Sequence, residues 1–505
     1  MADKNRRQFL RNAGATGAMV AMGLAIPKVL ADYDELVAPP NLFQNTGPAL
    51  DYEEYMKQLS PQTVPFAPIS RPLTEREKIA HLLRRAGFGA TETELDAYEK
   101  KGLDKTITEL LNYPAAEPEL EDAISKLNLK MSSLADIQTW WVTRMILTER
   151  PLLERMVLFW HGHFAASIRK VNNVSYMLQQ NQFFRVNALG DFRDILVGIS
   201  KDPAMLVWLD SNSNRRGAPN ENYGRELLEL FSMGIGNYTE TDVKEAARAF
   251  TGWHINRQTG TFVFNSRLHD YDSKTFLGKT GNFDGTDIID IDVQQPATAR
   301  FISKKLFSFF AYQDPEPEVI DRLADVYFKN NRSIKAIVEA IFRSEEFYSP
   351  KDVFTMVRSP VDLVVSARRL VGGQINLGSM LAAMRRAGQQ LFAPPDVSGW
   401  ETGMEWISTS RLLERFNFGA TIAGTVTNGS DIISQVKTRK YAGPVSLVEF
   451  LNTRILQRYP EEGRRQLLER LALESLGLNP SIATIEKTTR TLIAVIMATP
   501  EFQLE

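Results

Sequence analysis

"LADIQTWWVTRMILTERPLLERMVLFWHGHF", residues 134–164, decides the fold class. It contains two strongly helical runs placed back to back, the second opened by Pro151, whose fixed φ suits a first helical turn. Working outward, "LTEREKIAHLLRRAGFG" has an apolar face through Ile79, Leu82 and Leu83 and stops at the Gly87–Gly89 turn. Thr91 with Glu94 three residues later is a capping box that restarts a helix. Downstream, "TETDVKEAARAFTGW" begins at the cap Thr239 and closes at Gly252. Between Trp253 and Asp292 the helical period fails. "TGTFVFNSRLHD" alternates as a strand does through Phe262 and Phe264, and "GKTGNFDGTD" is turn-rich. Helices resume at "PATARFISKKLFSFFAY" and run on, broken by the polar and aromatic loop "LFAPPDVSGWETGMEWIS". The expected fold is mainly α: one multi-helix globular module over residues 73–505, with a small irregular β insertion at about 255–292.

The 505 residues are 43% hydrophobic and 24% charged, the balance of a folded globular chain that needs no covalent staples. A net charge of −2 gives no electrostatic case for nucleic acid. Cysteine is absent, which excludes disulfides, thiolate zinc sites, iron–sulfur clusters and cysteine nucleophiles. The amino terminus carries an address. Arg6 and Arg7 precede Phe9 and Leu10, then comes an Ala/Gly-rich, weakly apolar stretch ending at Ala31. This resembles a twin-arginine export signal over residues 1–31, with Asn5 where serine or threonine is commoner. The apolar stretch is too short and too rich in glycine to be a good spanning helix, so no transmembrane segment is expected in the mature chain. The reading implies the twin-arginine translocase as a transient partner and a periplasmic or secreted destination. Residues 32–72, rich in proline, read as a lead-in that wraps the surface.

Three constellations could carry chemistry. His161 and His163 flank Gly162, and the chain has only five histidines. In an unbroken helix, residues two apart point about 200° away from each other. If glycine ends the helix, an extended dipeptide puts both imidazoles on one face, able to bind a metal, move a proton or hold an anion. The bland alternative has them capping the helix on backbone carbonyls.

In "PNENYGRELLELFSMG", Tyr223, Leu227, Leu230 and Gly234 form one stripe, with Asn222, Glu226 and Glu229 on the neighbouring face. Glu226 lies nearest the apolar boundary, where partial burial would raise its pKa and suit it to general acid catalysis. Two carboxyl groups beside a cleft is the glycoside hydrolase arrangement. The competing reading is a solvated carboxylate face with a Glu221–Arg225 pair. The third constellation is His269, Asp270 and Lys274 in "HDYDSKTFLG", which reads as substrate-binding equipment on a loop. Nearby Asn282, Asp284 and Asp287 around Gly285 echo a calcium loop without its full spacing. Asp210, Asn212 and Asn214 form a further polar loop. No phosphate-cradling glycine loop, G-x-S-x-G elbow or H-E-x-x-H helix is present.

The ordered phrases "HLLRRAGFG", "LFWHGHFA", "DPAMLVWLD", "NENYGRELLELFSMGIGNYTETDVKEAARAFTGW", "HDYDSKTFLG", "QPATARFISKKL" and "LFAPPDVSGW" together resemble the bacterial domain-of-unknown-function 1800 family. The similarity covers about Leu73 to Asn417 and beyond. Here Gly162 stands where Asn is commoner, and His254 is additional to the usual motif. The resemblance implies export and a possible partner, a domain-of-unknown-function 1501 protein, whose genes often neighbour those of the family. It carries no activity over.

The residues therefore support a periplasmic or secreted hydrolase acting on an extracytoplasmic polymer, glycan first. Glu226 would be its acid/base, with Glu229 or Asp270 as the second carboxylate. His161, His163, Asn222, His269 and Lys274 would position substrate, with Trp400 and Trp406 stacking on sugar. A divalent metal held by His161, His163 and His269 is the third possibility, which would suit a metal-handling or redox protein. A non-catalytic envelope binding or assembly factor is the alternative. A single site requires His161, His163, Glu226 and His269 to line one cleft.

Overall fold

The computed structural model describes residues 71–256, 258–426, 431–438, 443–458, 462–477 and 479–505. The export signal and nearly all of the proline-rich lead-in lie outside them. The chain is mainly α-helical, and its only named strands among the described residues form two separate two-stranded sheets. It clusters into two compact units that interleave in sequence. One takes residues up to Thr106 with Tyr348–Gln389 and Thr402–Glu505; the other takes Ile107–Phe347 with Gln390–Glu401.

In the first unit, the helices Glu75–Arg85 and Glu92–Lys101 each open on a capping box, Thr74 with Glu77 and Thr91 with Glu94. Helix Thr409–Gly424 packs along Ile482–Ala498, where the glycine at 419 lets the chains close on Met497. The last residues return to residues 356–358, and Val357 pairs with Leu504 across an antiparallel bridge.

The second unit is built round helix Pro151–His163, in which every residue from Leu152 to His161 is buried, as is His163. A helix buried on nearly every side belongs in a core rather than at a surface. Its one acid, Glu154, is fully buried. Arg185 (2.8 Å), Arg144 (3.3 Å) and the Trp141 indole (3.0 Å) hold it. Burial alone would raise its pKa, but the two guanidinium groups hold it below the ordinary value. Helices Leu134–Leu147 and Val174–Val186 flank this core helix.

The β insertion consists of β1 (Trp253–Ile255) antiparallel to β2 (Phe262–Phe264), and β3 (Lys274–Phe276) antiparallel to β4 (Lys279–Gly281). Leu277 and Gly278, both at positive φ, make the two-residue turn of the second hairpin. The insertion closes earlier than the sequence suggested. Asp284 caps a helix over Gly285–Asp292, with its side chain accepting from the Thr286 and Asp287 amides. The apparent calcium loop is therefore a helix start: Asp284 and Asp287 are spent on a reciprocal capping box.

Candidate functional site

Gly162 does not end the helix. Pro151–His163 runs unbroken through both histidines, so they leave on opposite sides, about 200° apart. His161 enters an aromatic cage of Trp141, Phe184, Phe392 and Trp400, with ring centroids 5.2–6.5 Å away. Neither of its nitrogens has a hydrogen-bond partner, and burial lowers its pKa to about 3. His163 stacks on Phe159 at 5.6 Å and donates from Nε2 to the Phe231 carbonyl at 2.9 Å. Burial, aided by the Lys305 charge, takes it to about 3 as well. Both imidazoles are neutral core groups.

Phe231 belongs to the second constellation, which the structure builds differently from a regular helix. Asn222–Glu226 is α-helical, but Leu227–Ser232 widens into a π-helix. Such wide turns release carbonyls from the regular ladder and recur at functional sites. The released groups are met by side chains: His163 serves Phe231, and the Ser232 hydroxyl donates to the Leu227 carbonyl at 2.6 Å. Glu226 is the last α-helical residue and Glu229 lies inside the wide turn. Glu226 is half-buried, and burial with the Glu229 charge raises its pKa, while Arg225 opposes. That guanidinium is committed to Glu240 at 2.8 and 2.9 Å and to Glu221 at 3.4 Å. The anticipated Glu221–Arg225 pair therefore coexists with a raised Glu226. Glu229 accepts a hydrogen bond from the Tyr238 hydroxyl at 3.1 Å. Burial, then Glu229, pushes that phenol up to about 12. Asn222 is exposed at the helix start.

The third constellation is buried rather than presented on a loop. His269, Asp270 and Lys274 are 3%, 6% and 1% exposed. His269 Nδ1 donates to the Thr251 carbonyl at 2.8 Å. Lys274 donates to the Asp270 and Asp272 carbonyls, at 2.6 and 3.1 Å. Asp270 pairs with Arg248 at 2.8 Å, which overrides the upward effect of burial and lowers its pKa. Asp270 is thus engaged as a loop anchor, leaving Glu229 as the carboxylate beside Glu226.

The metal set fails for the same reason. His161 and His163 diverge, His269 is bonded to Thr251, and no three His, Asp or Glu side chains gather to hold a metal among the described residues. The single cleft required above is not formed by these four residues: His161 lies in its aromatic cage, His163 on Phe231, and His269 on Thr251. Trp400 lies against His161 at 5.2 Å, and its indole nitrogen is buried without a partner. Trp406, in the first unit, is 3% exposed, so its face is closed to a sugar in this conformation. The sequence reading missed Tyr238. Its signal was its place four residues past Gly234, the end of that stripe, in a loop opened by Gly234 and Gly236.

The fold and this site define a mainly helical protein with a neutral aromatic–histidine core and a half-buried carboxylate pair at the junction of an α-helix and a π-helix. Residues 81–504 match the family described as "Protein of unknown function (DUF1800)". The chain belongs to that family. No curated protein and no solved structure matches it.

Proposed function

We propose that the protein is an exported hydrolase acting on an extracytoplasmic polymer, a glycan in the first instance, with Glu226 as its general acid. The observation that carries this reading is the paired environment of Glu226 and Glu229. Burial and a like charge favour the protonated form of Glu226, the state a general acid needs. Glu229, bonded to Tyr238, supplies the second carboxylate that glycoside hydrolysis calls for. With His161 and His163 pointing apart along one helix and His269 bonded to Thr251, the metal-handling alternative loses its ligand set. The export address rests on Arg6 and Arg7, and an envelope partner of the domain-of-unknown-function 1501 class fits that destination.

The test is a turnover screen on cell-wall and storage glycans with wild type and Glu226→Gln. A general acid contributes about 10²–10⁴ in rate, so the variant should lose that much while keeping its melting temperature. Full activity in the variant would remove Glu226 from the chemistry. No turnover of any glycan or ester would shift the reading to a non-catalytic envelope factor. Fractionation checks the address: changing Arg6 and Arg7 to Lys should leave folded precursor in the cytoplasm, and undiminished periplasmic protein would count against export.

A further inference from the structure

The β insertion carries a surface that the carboxylate pair does not use. Gly252 ties two loops together: its amide donates to the Asn214 carbonyl (3.2 Å) and its carbonyl accepts from the Asn265 amide (2.7 Å). A Cβ at 252 would stand 2.6 Å from the Asn265 carbonyl, so only glycine, here at φ +83, permits the approach. The Arg216 amide adds a bond to the Leu268 carbonyl at 2.7 Å. These bonds set the tight turn of Arg215 and Arg216 beside the segment from Phe264 to Asp272.

Two aromatic rings are half in solvent there, Phe264 at 43% and Tyr271 at 49% exposed. Both are propped edge-to-face on the buried His269 ring, at 5.2 and 4.7 Å. Arg267 sits on the 3₁₀ turn between them. Arg216 reaches Asp272 at 3.7 Å, whereas the exposed side chains of Arg215 and Arg267 meet no carboxylate or other hydrogen-bond partner among the described residues. Three arginines and one aspartate leave an excess of fixed positive charge on a chain that is slightly acidic overall.

We propose that this patch binds an acidic polysaccharide, a chain of uronate-type sugars. The rings would offer flat faces to the pyranose C–H surface, and Arg215 and Arg267 would pair with its carboxylates. Guanidinium forks match carboxylates two-pronged, and a partly buried, propped ring loses little entropy when a sugar stacks on it. A lipid surface fits less well, because inserting side chains must protrude, whereas these rings lie supported on His269. This names the polymer class for the hydrolase proposed above and rests on that reading, but binding can be measured without turnover.

The experiment compares binding of the folded chain to polygalacturonate and to its fully methyl-esterified form. The acidic polymer should bind at least about tenfold more tightly, with affinity falling as salt rises. Arg215→Glu with Arg267→Glu should abolish that preference. Both side chains are exposed, so the fold should tolerate the change. Tyr271→Ala should weaken binding to both polymers alike. Equal binding of the two polymers by wild type, or no binding, would overturn the proposal. So would binding to anionic phospholipid vesicles but not to polygalacturonate. If polygalacturonate binds but no glycan is cleaved, the hydrolase reading fails and the patch stands. If a neutral glycan is cleaved through Glu226 while polygalacturonate does not bind, the patch fails alone.

Discussion

Glu226 and His161 show how burial acts in opposite directions on an acid and a base. The carboxyl is driven toward its neutral form by rising pKa, the imidazole by falling pKa. Only Glu226 keeps solvent access, and only it has a titratable neighbour that a substitution can remove cleanly. Glu229→Gln deletes the like charge and leaves burial in place, so the Glu226 pKa should fall part of the way toward an ordinary glutamate. As a general acid works only while protonated, the alkaline fall in turnover should move to lower pH. Carboxyl NMR titration of Glu226 in wild type and Glu229→Gln reads the same shift without any substrate. An unchanged titration would mean that Glu229 does not sense Glu226, and the pair would not be a functional unit.

At the scale of elements, what was legible was what local chemistry decides. Thr91 with Glu94, Thr239 as a cap, and Pro151 at a first turn fix helix starts from neighbouring residues alone. Two features were not legible, because distant groups decide them. Glycine disfavours a helix interior by about 1 kcal/mol, which pointed to a break at Gly162. The loop residue Gly399 instead seats against the Gly162 carbonyl, so close that a Cβ at 399 would lie 2.2 Å from it. Trp400 then covers the glycine from outside, with its ring 3.7 Å from where a Cβ at 162 would be.

The π-helix likewise depends on a partner far away in sequence, His163, to satisfy the Phe231 carbonyl. Replacing His163 by Leu should strand that buried carbonyl, costing about 1–3 kcal/mol. Loss of a fixed wide turn should show as faster amide exchange over residues 227–234, with the helix Leu134–Leu147 unaffected. His163→Gln, which can still donate, should recover part of the protection. Uniform loss across the whole second unit would instead make His163 a packing residue with no particular hold on the π-helix.

For the molecule as a whole, the buried titratable groups of the second unit oppose one another in their effect on stability. Asp202 and Asp292 are raised to about 7 by burial, against the Met205 amide at 3.0 Å for Asp202 and the Thr298 hydroxyl at 2.7 Å for Asp292. Asp292 also ends its helix, where the dipole disfavours an anion. A carboxyl raised by folding contributes stability that is full below its unfolded pKa near 4 and is lost as pH rises through 7. His161 and His163, lowered to about 3, do the reverse: their contribution is full above 6.5 and is lost as pH falls. Between about pH 5 and 6 the unfolded chain holds two extra protons on these histidines, and the folded chain holds two on these aspartates. Their slopes cancel, so these four groups leave stability flat with pH in that window. Asp292→Asn keeps the shape and removes one of the opposing protons. Relative to wild type, its unfolding free energy should rise with pH by about 1.4 kcal/mol per unit between pH 5 and 6. Six of the seven tryptophans lie in the second unit, so their fluorescence during urea denaturation reports the relevant transition. Groups common to both proteins drop out of the comparison, leaving the Asp292 proton alone. Parallel stability curves from pH 5 to 6 would mean that Asp292 is ionised in the folded core, and the cancellation would fail with it.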